Sequence, residues 1–180
     1  MKKVTTYLPE DFRKWLDKYH NKETKVQVVV YKRHTGKKAP THRELMDEAI
    51  CYGWIDTTIK KLDKDRYIRH FSKRNKNSTW SDNTLSYGKL LIKQGRMTEH
   101  GLPFFKAGLA KPTLDHGIPK NPDMPPELEK SLAKDKKVQV AFEKLSPSVK
   151  KMHYRMILRS KRPETKLKRI TEILSSLVIL

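Results

Sequence analysis

Residues 41–56, THRELMDEAICYGWID, predict a helix that ends at a glycine turn and continues directly into a β-strand. Thr41 followed three residues later by Glu44 is the pattern of a capping box, in which each side chain accepts a backbone N–H at the helix start. Gly53 stands just beyond the helix, where a left-handed backbone conformation is needed. Residues 54–56 then begin a strand, so the whole stretch predicts the seam between a helix and a sheet.

Outward from this seam, the N-terminal half of the chain alternates helical and extended patterns. A helix is predicted over residues 9–20, which open with a proline and two acids, and another helix is predicted to begin at Ser81. Extended patterns cover residues 25–32 and both arms of a hairpin within residues 57–74. The sequence therefore predicts an α+β class, with a helix–antiparallel sheet domain over residues 1–110.

The C-terminal half differs in character. Residues 111–126 contain five of the ten prolines, which predicts a linker. Every pattern after it is helical, and prolines at 147 and 163 stand at helix starts. We therefore expect a small all-α helical domain over residues 127–180.

The composition indicates a charge-coated globular protein. Hydrophobic residues make up 36% and charged residues 33%, and the net charge is +20, which attracts polyanions. A Lys-rich surface of the kind found at high temperature is the alternative, although Glu does not balance Lys here. The single cysteine excludes an intramolecular disulfide and a multi-cysteine zinc site. No apolar stretch has the length of a signal peptide core or a membrane span, so we expect a cytoplasmic location without a transmembrane segment.

The positive charge is concentrated in two runs. Residues 66–76 carry five cations and no acid, and residues 144–169 carry ten cations and one acid. In the second run, cations four residues apart form one stripe of a helix, which is a plausible track for phosphates or an ordinary solvated face. The predicted nucleic-acid-binding residues are Arg69, Lys73, Arg74, Lys151, Arg155, Arg159, Arg162 and Lys166. Aromatic rings near the first run, such as Trp80, suit either base stacking or core packing.

Catalytic chemistry is weakly indicated. Cys51 is predicted at a helix C-terminus, where the helix dipole raises a thiol pKa, so we interpret it as a small buried side chain. The seven histidines lack metal-ligand spacing, and the phosphate-binding loop pattern is absent; the sequence predicts neither a metal nor a cofactor. Asp56 is expected to pair with a basic residue, and a pocket around Trp54, Asp56 and Trp80 is the alternative.

Four stretches in order resemble the YdeI/OmpD-associated family over roughly residues 10–175. They are YKRHTGKKAPTHRELMDEAICYGWID at 31–56, DRYIRHFSKRNKNSTWS at 65–81, LIKQGRMTEHGL at 91–102 and FEKLSPSVKKMHYRMILRSKRPETKLKRI at 142–170. The resemblance implies a YjbR/frataxin-like N-terminal domain, a small helical C-terminal domain and a link to stress or antimicrobial tolerance. It implies no catalytic residues. The first helix mixes acids and bases, unlike the acidic helix on which frataxin-like iron binding relies.

Three functional hypotheses follow. The leading one is a non-enzymatic, cytoplasmic binding protein whose basic face contacts a polyanion such as nucleic acid. The second is a stress- or antimicrobial-tolerance-linked module that docks an acidic protein partner, with the terminal LVIL at 177–180 as an apolar anchor. The third is a small-molecule sensor or enzyme that uses the Trp54, Asp56 and Trp80 pocket.

Overall fold

The computed structural model describes residues 1–178 and divides the chain into two compact units. The sheet unit comprises Met1–Thr113, and the helical unit begins at Leu114. The predicted α+β class is confirmed, because a four-stranded sheet lies in the first unit and only helices follow in the second. The stretch between Leu109 and Pro126 holds no helix or strand, and its role as a separate linker stays a prediction.

The sheet unit contains four strands and four α-helices, besides a single 3-10 turn at Arg33–Thr35. In chain order they are β1 (Lys2–Thr6), α1 (Pro9–Tyr19), β2 (Lys25–Tyr31), α2 (His42–Cys51), β3 (Trp54–Lys61), β4 (Arg66–Lys73), α3 (Asp82–Lys93) and α4 (Gly101–Leu109). The spatial strand order is β1-β2-β4-β3. The β3–β4 hairpin and the antiparallel pairing of β2 with β4 agree with the sequence patterns.

Strand β1 makes the sheet mixed rather than wholly antiparallel. It pairs in parallel with β2, so that Lys2 lies opposite Val26 and Thr6 opposite Val30. The sequence pattern predicts no strand here, because KKVTT contains a single apolar residue. Its extended conformation depends on a neighbour more than twenty residues away, which local patterning does not reveal.

The helix–strand seam has the predicted geometry. Thr41 Oγ1 accepts the backbone N–H of Glu44 at 3.2 Å, and Glu44 Oε2 accepts that of Thr41 at 2.7 Å. Gly53 has a φ of +71°, and Trp54 opens β3 immediately after it. Both the capping box and the glycine turn are confirmed.

One apolar core fills the sheet unit. Fully buried side chains from α1, α2 and the sheet meet there, and the largest are Trp54, Phe12, Phe71, Leu16 and Leu45. Trp54 meets the Trp15 ring edge-on at 5.6 Å, and Phe12 packs on Phe71 at 4.8 Å. Trp54, the largest side chain of the seam, therefore packs in the core, as the packing interpretation predicts.

The helical unit contains α5 (Pro126–Leu132), α6 (Lys136–Glu143), α7 (Pro147–Leu158) and α8 (Pro163–Val178). Ser146 caps α7, and prolines open α7 and α8 as predicted. Its separate core includes Leu128, Phe142, Ile157 and Ile173. Of the predicted LVIL anchor, Leu177 is buried and Val178 exposed, whereas residues 179–180 lie outside the described residues. Within the described chain, no helix combines the length and apolar character needed to cross a membrane.

Candidate anion-binding sites

The predicted cations of the first run are largely engaged by the protein itself. Arg69 Nη1 donates to Asp56 Oδ2 at 2.9 Å, and His42 Nε2 lies 3.0 Å from the same oxygen. The predicted pairing of Asp56 with a basic residue is confirmed. A cation already neutralised by a carboxylate attracts a phosphate less strongly, so Arg69 is a weak candidate for nucleic-acid contact.

Arg74 and Lys73 lie next to each other in sequence but differ in exposure. Arg74 is only 3% exposed, and its guanidinium carbon lies 3.6 Å from the centroid of the Trp80 ring. Lys73 is half-buried, with its Nζ 3.5 Å from Asn21 Oδ1. Because Arg74 is covered, its charge is less accessible to a nucleic acid than the charge of Lys73.

The predicted stripe on α7 holds a neighbouring segment in place. Lys151 Nζ donates to Asn121 Oδ1 at 2.7 Å, and Arg155 donates to the Lys120 carbonyl. Arg159 makes two hydrogen bonds to the carboxylate of Asp115, at 2.6 and 2.9 Å. All three cations contact residues 115–121, so the stripe has a structural role whether or not it also binds a ligand.

Two ion pairs of the helical unit are fixed in their charged form. The Arg159 guanidinium lowers the pKa of Asp115, chiefly through its hydrogen bond. Lys166 donates to Glu127 Oε1 at 2.7 Å and likewise lowers the pKa of that carboxyl. Arg159 and Lys166 are consequently neutralised locally at neutral pH.

A polar groove lies where α7 passes into α8. It has a volume of about 390 Å³, and its lining residues are Met156, Arg159, Ser160, Lys161, Arg162, Thr165 and Arg169. Four of these seven side chains are cationic and none is acidic. Among residues 1–178, Lys161 and Arg162 have no carboxylate within ion-pair distance, whereas Arg159 and Arg169 each have one. We call this the α7–α8 groove.

The residues of the predicted small-molecule pocket have separate surroundings. Trp54 is buried against Trp15, and Asp56 is bound to Arg69. Trp80 lines a cavity of about 280 Å³ next to α4, together with Arg74 and others. Trp80 therefore lines a cavity, but neither Trp54 nor Asp56 contributes to the lining of that cavity.

Cys51 has the buried, structural character that the sequence predicts. The side chain is fully buried, and burial raises the pKa of its thiol to about 11. A thiol with so high a pKa carries almost no thiolate at neutral pH and is a poor nucleophile. Residues 1–178 contain no cluster of three or more His, Cys, Asp or Glu side chains suited to a metal ion.

Several residues of these sites are not among the predicted ones. Lys161 completes the α7–α8 groove, and the run SKRPE at 160–164 is the local signal that could have identified it. Phe104 and Lys111 line the Trp80 cavity. They lie more than twenty residues beyond Trp80 in sequence, so no local pattern identifies them.

The fold and these sites define a two-unit α+β protein with a cationic helical C-terminal unit. The chain belongs to the family described as a domain of unknown function, DUF8412, whose model matches residues 4–104. Residues 121–178 match a second family, described as "Bacteriocin-protection, YdeI or OmpD-Associated". No curated protein and no solved structure matches the chain.

These matches correct the expected extent of the family resemblance. The YdeI/OmpD-associated likeness is confirmed for the helical unit, over 121–178 rather than 10–175. The N-terminal domain is DUF8412, and the expectation of a YjbR/frataxin-like domain is wrong. A sheet with flanking helices and a glycine seam occurs in many unrelated domains, so these features alone do not separate one family from another.

Proposed function

We propose that this protein is a non-enzymatic, cytoplasmic binding protein that contacts nucleic acid through the α7–α8 groove. The observation that carries the proposal is the lining of the groove, which has four cations and no acid. Phosphates of a nucleic-acid backbone are neutralised by such groups without any base-specific contact. The net charge of +20 supports the same partner by long-range attraction.

Three features of the groove favour a phosphate over a simple counter-ion. The exposed Lys161 and Arg162 are adjacent and lie immediately before α8, and both lack an acidic partner among residues 1–178. The first backbone N–H groups of a helix also carry a partial positive charge, so the start of α8 adds to the attraction. The Thr165 hydroxyl also lines the groove and can donate a hydrogen bond, whereas that of Ser160 already donates to the Met156 carbonyl at 3.1 Å.

The test is the binding of fluorescently labelled duplex DNA and single-stranded RNA, measured by anisotropy between low and moderate salt. We expect affinity to fall steeply with salt, and the double variant K161E/R162E to reduce the slope of log K against log salt by about 2. The matched control K136E/K137E makes the same charge change at two exposed lysines of α6 outside the groove.

Equal losses in the two double variants would mean that binding follows net charge rather than the groove. Retention on nucleic acid that did not weaken with salt would also contradict the proposal, because phosphate neutralisation must be salt-sensitive.

A second candidate is a protein-interaction module linked to stress or antimicrobial tolerance. The match of residues 121–178 to a family described by bacteriocin protection favours it. Affinity capture with the full chain, before and after nuclease treatment of the lysate, separates the two candidates. Loss of the captured proteins after nuclease supports nucleic acid, and retention of one defined acidic protein supports the module.

A further inference from the structure

A cavity of about 280 Å³ in the sheet unit lies between the segment after β4 and helix α4. Its walls are mainly apolar and include the rings of Trp80 and Phe104. The exposed residues Lys76 and Lys111 also line it, and Arg74 is its buried cation. The volume is at the low end for ligand pockets, so the cavity suits a small molecule.

One edge of the Arg74 guanidinium has no partner. Its Nη1 donates to the Thr79 carbonyl at 3.0 Å, whereas the buried Nε and Nη2 have no hydrogen-bond partner among residues 1–178. Nε–H and Nη2–H lie on the same edge of the planar group and together can receive both oxygens of a carboxylate. Burial lowers the pKa of Arg74 to about 10, and the charge of Asp56 offsets this only in part. A buried cation of this kind is costly unless an anion joins it.

The platform beneath the guanidinium is held firmly. A Cβ atom on Gly108 would lie only 2.4 Å from Trp80 Nε1, so α4 approaches the indole at a position where only glycine fits. Phe105 meets the same indole edge-on at 5.8 Å. The orientation of the Arg74 edge is therefore set by packing before any ligand binds, which is the arrangement expected of a binding site.

We propose that this cavity binds a small organic monocarboxylate with an apolar body. The carboxylate takes the Nε and Nη2 edge of Arg74, and the apolar body lies against Phe104 and the other apolar walls. Because both nitrogens have almost no exposed surface, the ligand reaches them only when a side chain that covers them moves aside. This site lies in a different unit from the α7–α8 groove, so it does not depend on the nucleic-acid proposal.

Isothermal titration of the full chain with sodium benzoate tests the proposal, with benzamide as the uncharged counterpart. We expect benzoate to bind at millimolar concentration or below and benzamide to bind at least about tenfold more weakly. Arg74→Gln should abolish the difference between the two probes. Ala107→Leu, at an exposed residue that lines the cavity, should abolish binding by filling the cavity while leaving Arg74 intact.

Ala110→Leu is the matched control, because Ala110 is also exposed at the end of α4 but does not line the cavity. It should bind benzoate as the wild type does, and so should K161E/R162E.

Equal binding of benzoate and benzamide, unchanged binding by Ala107→Leu, or no benzoate binding would overturn the proposal. Stronger binding of phenyl phosphate than of benzoate would also overturn it, in favour of a phosphate ligand. If Arg74→Gln does not fold, comparing Ala107→Leu with Ala110→Leu still tests whether benzoate binds in this cavity.

Discussion

At the scale of single residues, buried charges are the most consequential feature of the sheet unit. Glu48 on α2 is 4% exposed and accepts hydrogen bonds from Arg13 at 2.8 Å and from Arg96 at 2.6 Å. The Glu48 carboxylate thereby links α2 to both α1 and the segment after α3. Because a buried carboxylate is tolerated only when it is paired, this triad is a constraint on the packing of all three segments.

Glu48→Gln should lower the free energy of unfolding by about 2–4 kcal/mol, because Arg13 loses its counter-charge and Arg96 keeps only the more distant Asp47, at 4.0 Å. Urea unfolding followed by tryptophan fluorescence measures the change. Glu23→Gln is the control, since Glu23 pairs with Lys2 at the surface, and we expect its cost to be about 0–1 kcal/mol. Equal costs for the two variants would show that the burial of Glu48 has no special effect.

His100 should make the sheet unit sensitive to mild acid. Its Nε2 is buried without a partner among residues 1–178, and its pKa lies below the ordinary 6.5, mainly through burial and also through nearby His20 and Lys73. Below pH 6.5 the unfolded chain therefore binds a proton that the folded chain does not. This contribution to stability is present above that pH and is lost as the pH falls.

The free energy of unfolding, measured at about pH 7.5 and about pH 5.5, should fall less in His100→Gln than in the wild type. The idea fails if His100→Gln and the wild type lose the same stability over this interval.

At the scale of elements, the seam between α2 and β3 combines backbone conformation with close packing. Gly53 has a φ of +71°, and a Cβ atom there would lie 2.3 Å from Cδ2 of Phe104. Gly36 has a similar φ of +66° but has no atom within 4 Å of the corresponding position. Substitutions at the two glycines can therefore be compared to separate the free-energy cost of the left-handed backbone conformation from the cost of steric crowding.

Gly36→Ala should destabilise the chain by about 1–2 kcal/mol, the cost of a left-handed conformation for an L-residue. Gly53→Ala should cost more, about 2–4 kcal/mol, because Phe104 must also move. Chemical denaturation of both variants measures the difference. Equal costs would show that the Phe104 side chain moves aside at little energetic cost.

At the scale of the whole molecule, each unit has its own apolar core. The core of the sheet unit contains Phe12, Trp54 and Phe71, and that of the helical unit contains Phe142 and Ile173. All three tryptophans lie before residue 113, so their fluorescence reports on the sheet unit, whereas helical circular dichroism reports on both.

We expect urea unfolding curves of the full chain to differ between tryptophan fluorescence and far-ultraviolet circular dichroism. The helical unit is the smaller of the two and should unfold at lower urea, since a small core buries a smaller fraction of its surface. A truncation ending at residue 113 should reproduce the fluorescence curve. Coincident curves for the full chain would show instead that the units unfold as one.

The sequence by itself determined where most elements begin and end. Thr41 with Glu44, Ser146 before Pro147, Pro163 and Gly53 each act on backbone groups within a few residues, so their effects can be read locally. The α+β class and the order of the two units follow from the same patterns. Strand β1 is the exception, because its pairing partner is remote.

Only the tertiary structure decided what the charges do. Arg159 meets Asp115 across 44 positions of sequence, Arg69 meets Asp56, and Arg74 is covered by Trp80 rather than exposed. The α7–α8 groove retains Lys161 and Arg162 without acidic partners within the described chain. The physical reason is that a cap is satisfied by its own neighbours, whereas a cation is paired, buried or left free according to which remote segments fold beside it.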